Sequence, residues 1–435
     1  MQRTKQSTRF WLALVIFGLT GQVAWVVENM YFNVFIYQMF HASAGAISAM
    51  VSASAVAATV TTLLIGALSD KVGRRKAFIC GGYILWGLSI AAFSLVRTDV
   101  LGALFPAVST AALGVTVVIV LDCVMTFFGS SANDACFNAW LTDSTDRTNR
   151  GAAEGINAMM PLVAILVVFG GFMSFDLSLA SSWTTIFLII GGAVVLMGIL
   201  GLFLIEDRAV AIPENKHYFR NIVYGFRPSV MRQNPVLYAT LLAFAVFGIS
   251  IQIFMPYLIL YYSVSLGMTD YVLVMAPAII VASVATAFYG RLYDRFGFFR
   301  SVAPALLLLL AGYGVLYFCR ATVPVFIGSL LMMTGYLAGM AVFGAMLRDH
   351  TPEKKAGMFQ GLRIVAQVLI PGIIGPAIGA AVLKNADTVL NNDGTTSFIP
   401  NVNIFLAAAV AALFVWVALV LVLRLKKKGE STREA

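Results

Sequence analysis

The chain has 435 residues, of which 60% are hydrophobic and only 11% charged, against roughly 45–50% apolar and about 25% charged in an ordinary soluble domain. That composition excludes a soluble enzyme, and apolar runs of the about 20 residues that cross a bilayer recur along the whole length. The formal charge of +9 fits basic residues flanking membrane spans rather than a nucleic-acid surface, so no nucleic-acid partner is expected.

Divided at charged and turn-rich stretches, the apolar runs predict twelve helices, at 10–38, 44–68, 77–96, 108–140, 153–175, 181–205, 236–263, 270–291, 301–320, 323–347, 356–383 and 402–424. The runs are long and continuous instead of alternating, which excludes barrel strands. The first extends through Gln22, Glu28 and Asn29, beyond a signal-peptide core, and reads as an uncleaved helix. Even-numbered loops hold Lys71, Arg74, Arg75, Lys76, Arg147, Arg150, Arg208, Lys216, Arg291, Arg295, Arg300, Arg348 and Lys354, whereas odd-numbered loops hold only Arg97, Arg320 and Lys384. This bias places both termini in the cytoplasm of a multi-pass protein of the plasma or inner membrane. The one long cytoplasmic connection, 206–235, spaces Phe219, Ile222, Val223 and Phe226 helically among Lys216, Arg220 and Arg227, an amphipathic helix for the inner leaflet. Cys80, Cys123, Cys136 and Cys319 have no paired spacing and read as small buried hydrophobes.

An internal repeat organises these spans. Gly66-Ala-Leu68-Ser-Asp70-Lys-Val-Gly73-Arg-Arg, after span two, matches Gly290-Arg-Leu292-Tyr-Asp294-Arg-Phe-Gly297, after span eight, at an offset of 224 residues. Asp143-Ser-Thr145 with Gly151 and Gly155 matches Asp349-His-Thr351 with Gly357 and Gly361 at an offset of 206. The chain is therefore predicted to be an all-α polytopic membrane protein of two six-helix bundles in parallel repeat, 1–205 and 236–435, joined by the 206–235 linker.

At these residues the chain resembles the major facilitator superfamily, whose G-x-L-x-D-x-x-G loop falls between spans two and three and again between spans eight and nine. The first copy fits at Gly66, Leu68, Asp70, Gly73, Arg74 and Arg75; the second has Phe298 and Phe299 where basic residues are expected and regains one at Arg300. The resemblance implies a cytoplasmic gate built from Gly66, Asp70, Gly73, Arg74, Arg75, Asp143, Gly290, Asp294, Gly297, Arg300 and Asp349. In that gate Asp70 and its arginines pair with the opposite half when the side is shut. Glycines for close approach, an acid at a helix end and a guanidinium fork suit a breakable latch independently.

Ionisable groups inside spans cost about 2.5–3.5 kcal/mol each and are functional candidates by default. Glu28, Asp122 and Asp134 qualify, as candidates for proton or cation coupling. At 100° per residue Gln22, Trp25, Glu28, Asn29 and Asn33 share one face of span one. Asp122, Thr126, Gly129, Asn133 and Phe137 form a stripe on span four, with Asp134 about 120° away, free to face a different neighbour, pair with a nearby base or cap a helix. The matching positions in the second half are Gly328, Gly339 and Met340, so the acids belong to one half. The candidate solute contacts are Gln22, Trp25, Asn29, Asn33, Asn133, Asn138, Trp140, Gln252, Tyr257, Tyr261 and Gln367. Arg363 either snorkels to the cytoplasm or meets solute. Trp86, Trp183 and Trp416 read as interfacial anchors or lipid-facing bulk. His41, His217 and His350 all lie in loops and cannot serve as a relay.

The function predicted is alternating-access secondary transport of a small organic solute by a monomer without cofactor, with H⁺ or Na⁺ as coupling ion. Asp143–Arg150 and the amide-rich first span resemble the sugar and glycoside cation symporters, although residues 44–65 lack the acids which that branch carries in span two. Amide, Trp and Tyr stripes suit a hydroxylated solute. The competing reading is proton-driven export of amphiphiles; the G-P-x-x-G-G signature of such exporters is missing from span five, which reads Met159-Met-Pro161 and Gly170-Gly171. A membrane enzyme would need a convergent nucleophile and base or a metal set, and none has the required spacing.

Overall fold

The computed structural model describes residues 6–145, 149–206, 224–268, 270–351, 356–391 and 394–434. Eleven helices among them are long and apolar enough to cross a membrane: α1 (Thr8–Phe40), α2 (Ala44–Gly66), α3 (Arg75–Leu95), α4 (Thr110–Ser144), α5 (Gly155–Phe172), α6 (Ala180–Leu204), α7 (Pro235–Ser265), α9 (Arg291–Phe318), α10 (Thr322–His350), α11 (Gly361–Val382) and α12 (Asn403–Lys427). The predicted eighth span is the shorter apolar helix α8 (Tyr271–Thr286). Helical structure runs on from α8 into α9, and Gly297 breaks it at φ 75°, ψ 179°. Helical structure likewise continues past α2 to Val72, where the repeat partner Gly73 ends it at φ 68°. Both glycines thus hold the left-handed backbone that a side chain disfavours, which explains the residue type at this place in the two loops.

The chain divides into two compact units, Met1–Lys216 with Asn392–Ser397 and His217–Asn391 with Phe398–Ala435. In the first, α3 and α6 meet backbone to backbone: a Cβ at Gly87 would lie 2.5 Å from the Gly191 carbonyl, and one at Gly191 2.6 Å from that of Gly87. Small residues let helices approach where no hydrophobic drive exists between apolar surfaces in lipid. Around one end of this unit Phe32, Phe35, Phe93, Trp183 and Phe187 interlock, with Phe32–Phe93 centroids at 4.6 Å and Phe35–Trp183 at 5.2 Å. Trp183 is buried and its indole NH donates to the Leu177 carbonyl, so it is a core residue and not an interfacial anchor.

In the second unit the Ser250 hydroxyl on α7 donates to the Ala408 carbonyl of α12 and lies 3.1 Å from the Tyr313 hydroxyl of α9, tying three helices at one buried point. Two short strands, β1 (Thr388–Leu390) and β2 (Thr396–Phe398), pair between α11 and α12, an addition to the all-helical expectation. After α3 comes a short helix, Thr98–Leu104, at whose start the Arg97 guanidinium donates to Asp99 and holds its carboxyl below the usual carboxylate range. Lys216, Phe219, Arg220, Ile222 and Val223 of the expected amphipathic linker helix lie outside the described residues.

Candidate functional site

Glu28 sits in a π-helical turn of α1, Val27–Tyr31, and is 7% exposed. Its Oε1 accepts from the Ser54 hydroxyl of α2 at 2.6 Å and from the Thr126 hydroxyl of α4 at 2.9 Å. Its Oε2 is buried with no hydrogen bond. Asp122 lies on α4, is 1% exposed, and likewise has a buried Oδ1 without a partner. Asp122 and Glu28 interact electrostatically, as do Glu28 and Asp134. Two hydroxyl donors thus satisfy one oxygen of Glu28, and Glu28 and Asp122 each keep one buried oxygen without a hydrogen bond.

Asp134 departs from its predicted placement. Ser130–Phe137 is π-helical, and i→i+5 bonding adds a residue to each turn, so a wheel drawn at 100° per residue misplaces everything beyond it. Asp134 consequently joins the neighbourhood of Glu28, with its Oδ2 accepting from Ser130 at 3.0 Å and Trp25 beside it. Asn133 donates to the Tyr83 hydroxyl at 3.2 Å, and Tyr83 in turn donates to the Phe17 carbonyl. Trp25 packs on Trp86 at 4.9 Å between centroids, and Trp86 is fully buried. Trp86 therefore belongs to this polar cluster and is not lipid-facing bulk as its sequence setting implied.

Other candidates are placed apart from the cluster. Trp140 lies in the interior against Phe10 and Phe137, with its indole NH donating to the Glu206 carbonyl, and is structural. Asn29 and Asn138 are exposed and donate to their own helices, at the Trp25 and Asp134 carbonyls. Asn33 is buried and donates to the Asn29 carbonyl, while its Oδ1 has no partner. Gln22 is half-buried.

In the second unit Tyr257 donates to the Pro376 carbonyl across α7 and α11, Gln252 lies against Gly375, and Gln367 accepts from Arg363 at 3.1 Å. Tyr261 is 1% exposed and its hydroxyl is unpartnered. The residues that sequence reasoning passed over are Ser54 and Tyr83. Nothing marks a serine in a small-residue helix as a carboxyl donor, because membrane serines ordinarily bond back to their own helix.

The predicted gate residues make contacts inside each unit. Arg75 is 5% exposed, and its Nε donates to Asp143 Oδ2 at 3.1 Å while Nη1 donates to Ser69. The pairs with Asp143 and Ser69 lie within one unit and join the ends of α2, α3 and α4, whereas Arg74 is exposed. The repeat maps Ser69 to Tyr293, Arg75 to Phe299 and Asp143 to Asp349. With the arginine replaced by phenylalanine, Tyr293 itself reaches across and donates to Asp349. The same joint is made in both units by different chemistry. Asp294 and Arg300 are exposed; the Asp70 side chain lies outside the described residues.

The sequence model of the Major Facilitator Superfamily matches residues 10–341 and 273–435. Sugar efflux transporter B of Salmonella typhimurium is 23% identical over 194 residues, a match that spans 45% of the chain and 45% of that protein. Among solved structures, the nucleoside transporter NupG superposes with a TM-score of 0.71 at 11% identity, covering 94% of this chain and 98% of that one. The xylose transporter XylE from E. coli gives a TM-score of 0.66 at 16% identity, covering 94% and 99%. A bacterial homolog of the human lysosomal transporter Spinster gives 0.69 at 14%, covering 97% and 98%.

Proposed function

The chain belongs to the Major Facilitator Superfamily and is a membrane transporter; from that premise we propose that it moves a small hydroxylated solute of the sugar class, coupled to protons. The observation that carries the coupling is Glu28, held by Ser54 and Thr126 on one oxygen, with Asp122 and Asp134 within electrostatic reach. A buried carboxyl pair that takes up one proton loses its mutual repulsion, so its proton occupancy and the conformation around it are linked. Proton uptake from one side and release to the other then drives the cycle, with both termini and the gate loops at the cytoplasmic face as the charge bias directs. Gly66, Asp70, Gly73, Arg74, Gly290, Asp294, Gly297 and Arg300 remain the candidate gate, supported by the left-handed turns at Gly73 and Gly297.

The sugar class is supported by the stacked Trp25 and Trp86, the amides of Gln22, Asn33 and Gln252, and the name of the Salmonella relative. That name also favours a second reading of direction, proton-driven export of the sugar in place of uptake. The test is a thermal-shift screen of the purified protein against sugars, glycosides, nucleosides, amino acids and amphiphilic cations, with and without Na⁺ and at two pH values, since a ligand of the folded state raises the melting temperature. A sugar or glycoside whose effect depends on pH and ignores Na⁺ supports the proposal; hits confined to amphiphilic cations overturn it.

A further inference from the structure

We propose that Asp134 is the relay through which the buried Glu28 and Asp122 exchange protons with the cytoplasm, along a polar seam between α2 and α4. The proposal rests on the proton-coupled reading and the orientation given above, and every residue in it belongs to the first unit.

The seam starts from a spacing. Asp122, Thr126, Ser130, Asp134, Asn138 and Thr142 recur at every fourth residue of α4. In a regular α-helix each such step overshoots a full turn by about 40°, so the series would wind around the helix. The π-helical segment Ser130–Phe137 holds more residues per turn and brings the series back. Thr126, Ser130 and Asp134 thereby stay on the side of Glu28: Thr126 donates to its Oε1 at 2.9 Å, Ser130 donates to Asp134 at 3.0 Å, and Asp134 acts on Glu28 electrostatically. Burial then falls towards the cytoplasmic end, from Thr126 and Ser130 through half-buried Asp134 to exposed Asn138 and Thr142.

The other wall is α2, which packs along α4 as far as Gly66, where a Cβ would lie 3.9 Å from that of Ala135. Between Ser54 and Gly66 it carries Thr59 and Thr62, whose buried hydroxyls have no hydrogen bond, whereas Thr240, Thr286 and Thr334 donate back to their own helices. Buried polar groups of this kind take ordered water, as do the unpaired Glu28 Oε2 and Asp122 Oδ1. The opposite direction is apolar and filled. Four and eight residues outward of Asp122 lie Val118 and Gly114, both buried, and the Phe40 ring occupies the place of a Cβ at Gly114. The polar route from the two acids therefore runs to the cytoplasm. Of the titratable groups, Glu28 of α1 and Tyr83 of α3 face Asp134, and Glu28 and Cys123 adjoin Asp122. Asp134 passes one proton to the acids and recovers one from cytoplasmic water, or the reverse, and so ends each transfer as it began.

The test is infrared spectroscopy of the full-length protein in lipid nanodiscs, with D₂O as the probe. Protonated buried carboxyls are read from the C=O stretch that the Glu28→Gln/Asp122→Asn double variant removes, and the shift of this band after transfer to D₂O times their exchange. Asp134→Asn is expected to slow the exchange by on the order of a hundredfold. Asp134→Glu is expected to keep the wild-type rate and added formate to restore it in Asp134→Asn, neither of which follows from a purely structural role. Thr62→Val and Asn138→Leu, which dry the seam on each wall, are expected to slow exchange as well. Wild-type exchange in Asp134→Asn overturns the relay and leaves the coupling reading standing; so does slowed exchange that formate fails to restore. Wild-type exchange in both seam variants overturns the route. A wild-type protein without this band at any pH at which it is folded overturns the relay and the coupling reading together.

Discussion

Replacing either partner of the Arg75–Asp143 pair is predicted to have unequal effects, because the partners differ in their access to solvent. The Arg75 side chain is 6% exposed and that of Asp143 32%. Asp143→Ala removes this carboxylate from a buried guanidinium, a loss of about 2–3 kcal/mol, the lower part of the range for breaking a buried pair because Asp143 is itself partly hydrated. Arg75→Met keeps most of the buried stem and leaves Asp143 free to rehydrate, so about 1 kcal/mol is expected. The double variant should resemble Arg75→Met, giving a coupling of about 2–3 kcal/mol. For a unit of this size 1 kcal/mol corresponds to roughly 2–4 °C. Thermal denaturation of the purified protein should therefore show a drop of roughly 4–12 °C for Asp143→Ala and 2–4 °C for the other two variants. Equal single effects that add in the double variant would refute the account of this joint.

The repeat extends the argument to the second unit, where Tyr293→Phe removes the hydroxyl that reaches Asp349 and is expected to cost about 1–2 kcal/mol in the same assay; no change in melting would contradict the equivalence of the two joints. The packing of α3 on α6 is tested by adjacent residues: a Cβ at Gly191 meets backbone at 2.6 Å, whereas one at Gly192 meets nothing within 4 Å. Gly191→Ala should destabilise by about 1–3 kcal/mol and Gly192→Ala by close to zero, and melting temperatures in the reverse order would sink the packing argument. Asp70→Asn is predicted to shift the protein towards cytoplasm-open forms, read as faster maleimide labelling of a cysteine placed at the cytoplasmic end of α2; unchanged labelling speaks against a gate role for this loop.

Much of the architecture was legible in the sequence because the bilayer imposes a length on every span and the charge bias imposes a side. The repeat around Asp70 and Asp294 was legible because positive φ favours glycine over other residues, and Gly73 and Gly297 both hold it. The acids were legible as buried charges. Their arrangement was not, because the π-helical segment Ser130–Phe137 shifts Asp134 off the face that a regular helix assigns, and the one at Val27–Tyr31 interrupts the regular turn at Glu28. Trp86 and Trp140 exchanged roles for a related reason. Tryptophan in an apolar helix carries no mark of which side meets lipid, and only the glycine at 129, where a Cβ would fall 2.6 Å from Trp86, admits that ring beside Trp25.

The central claim is that the carboxyls around Glu28 carry the proton that drives the solute. The most direct measurement is proton movement across proteoliposome membranes, followed with a trapped pH-sensitive dye, when the solute identified by the thermal-shift screen is added to one side. Wild-type protein is predicted to move protons with the solute, while Glu28→Gln and Asp122→Asn, still stabilised by that solute in the thermal assay, move none. Proton movement preserved in both variants, or solute movement in the wild type with no proton signal, would contradict it.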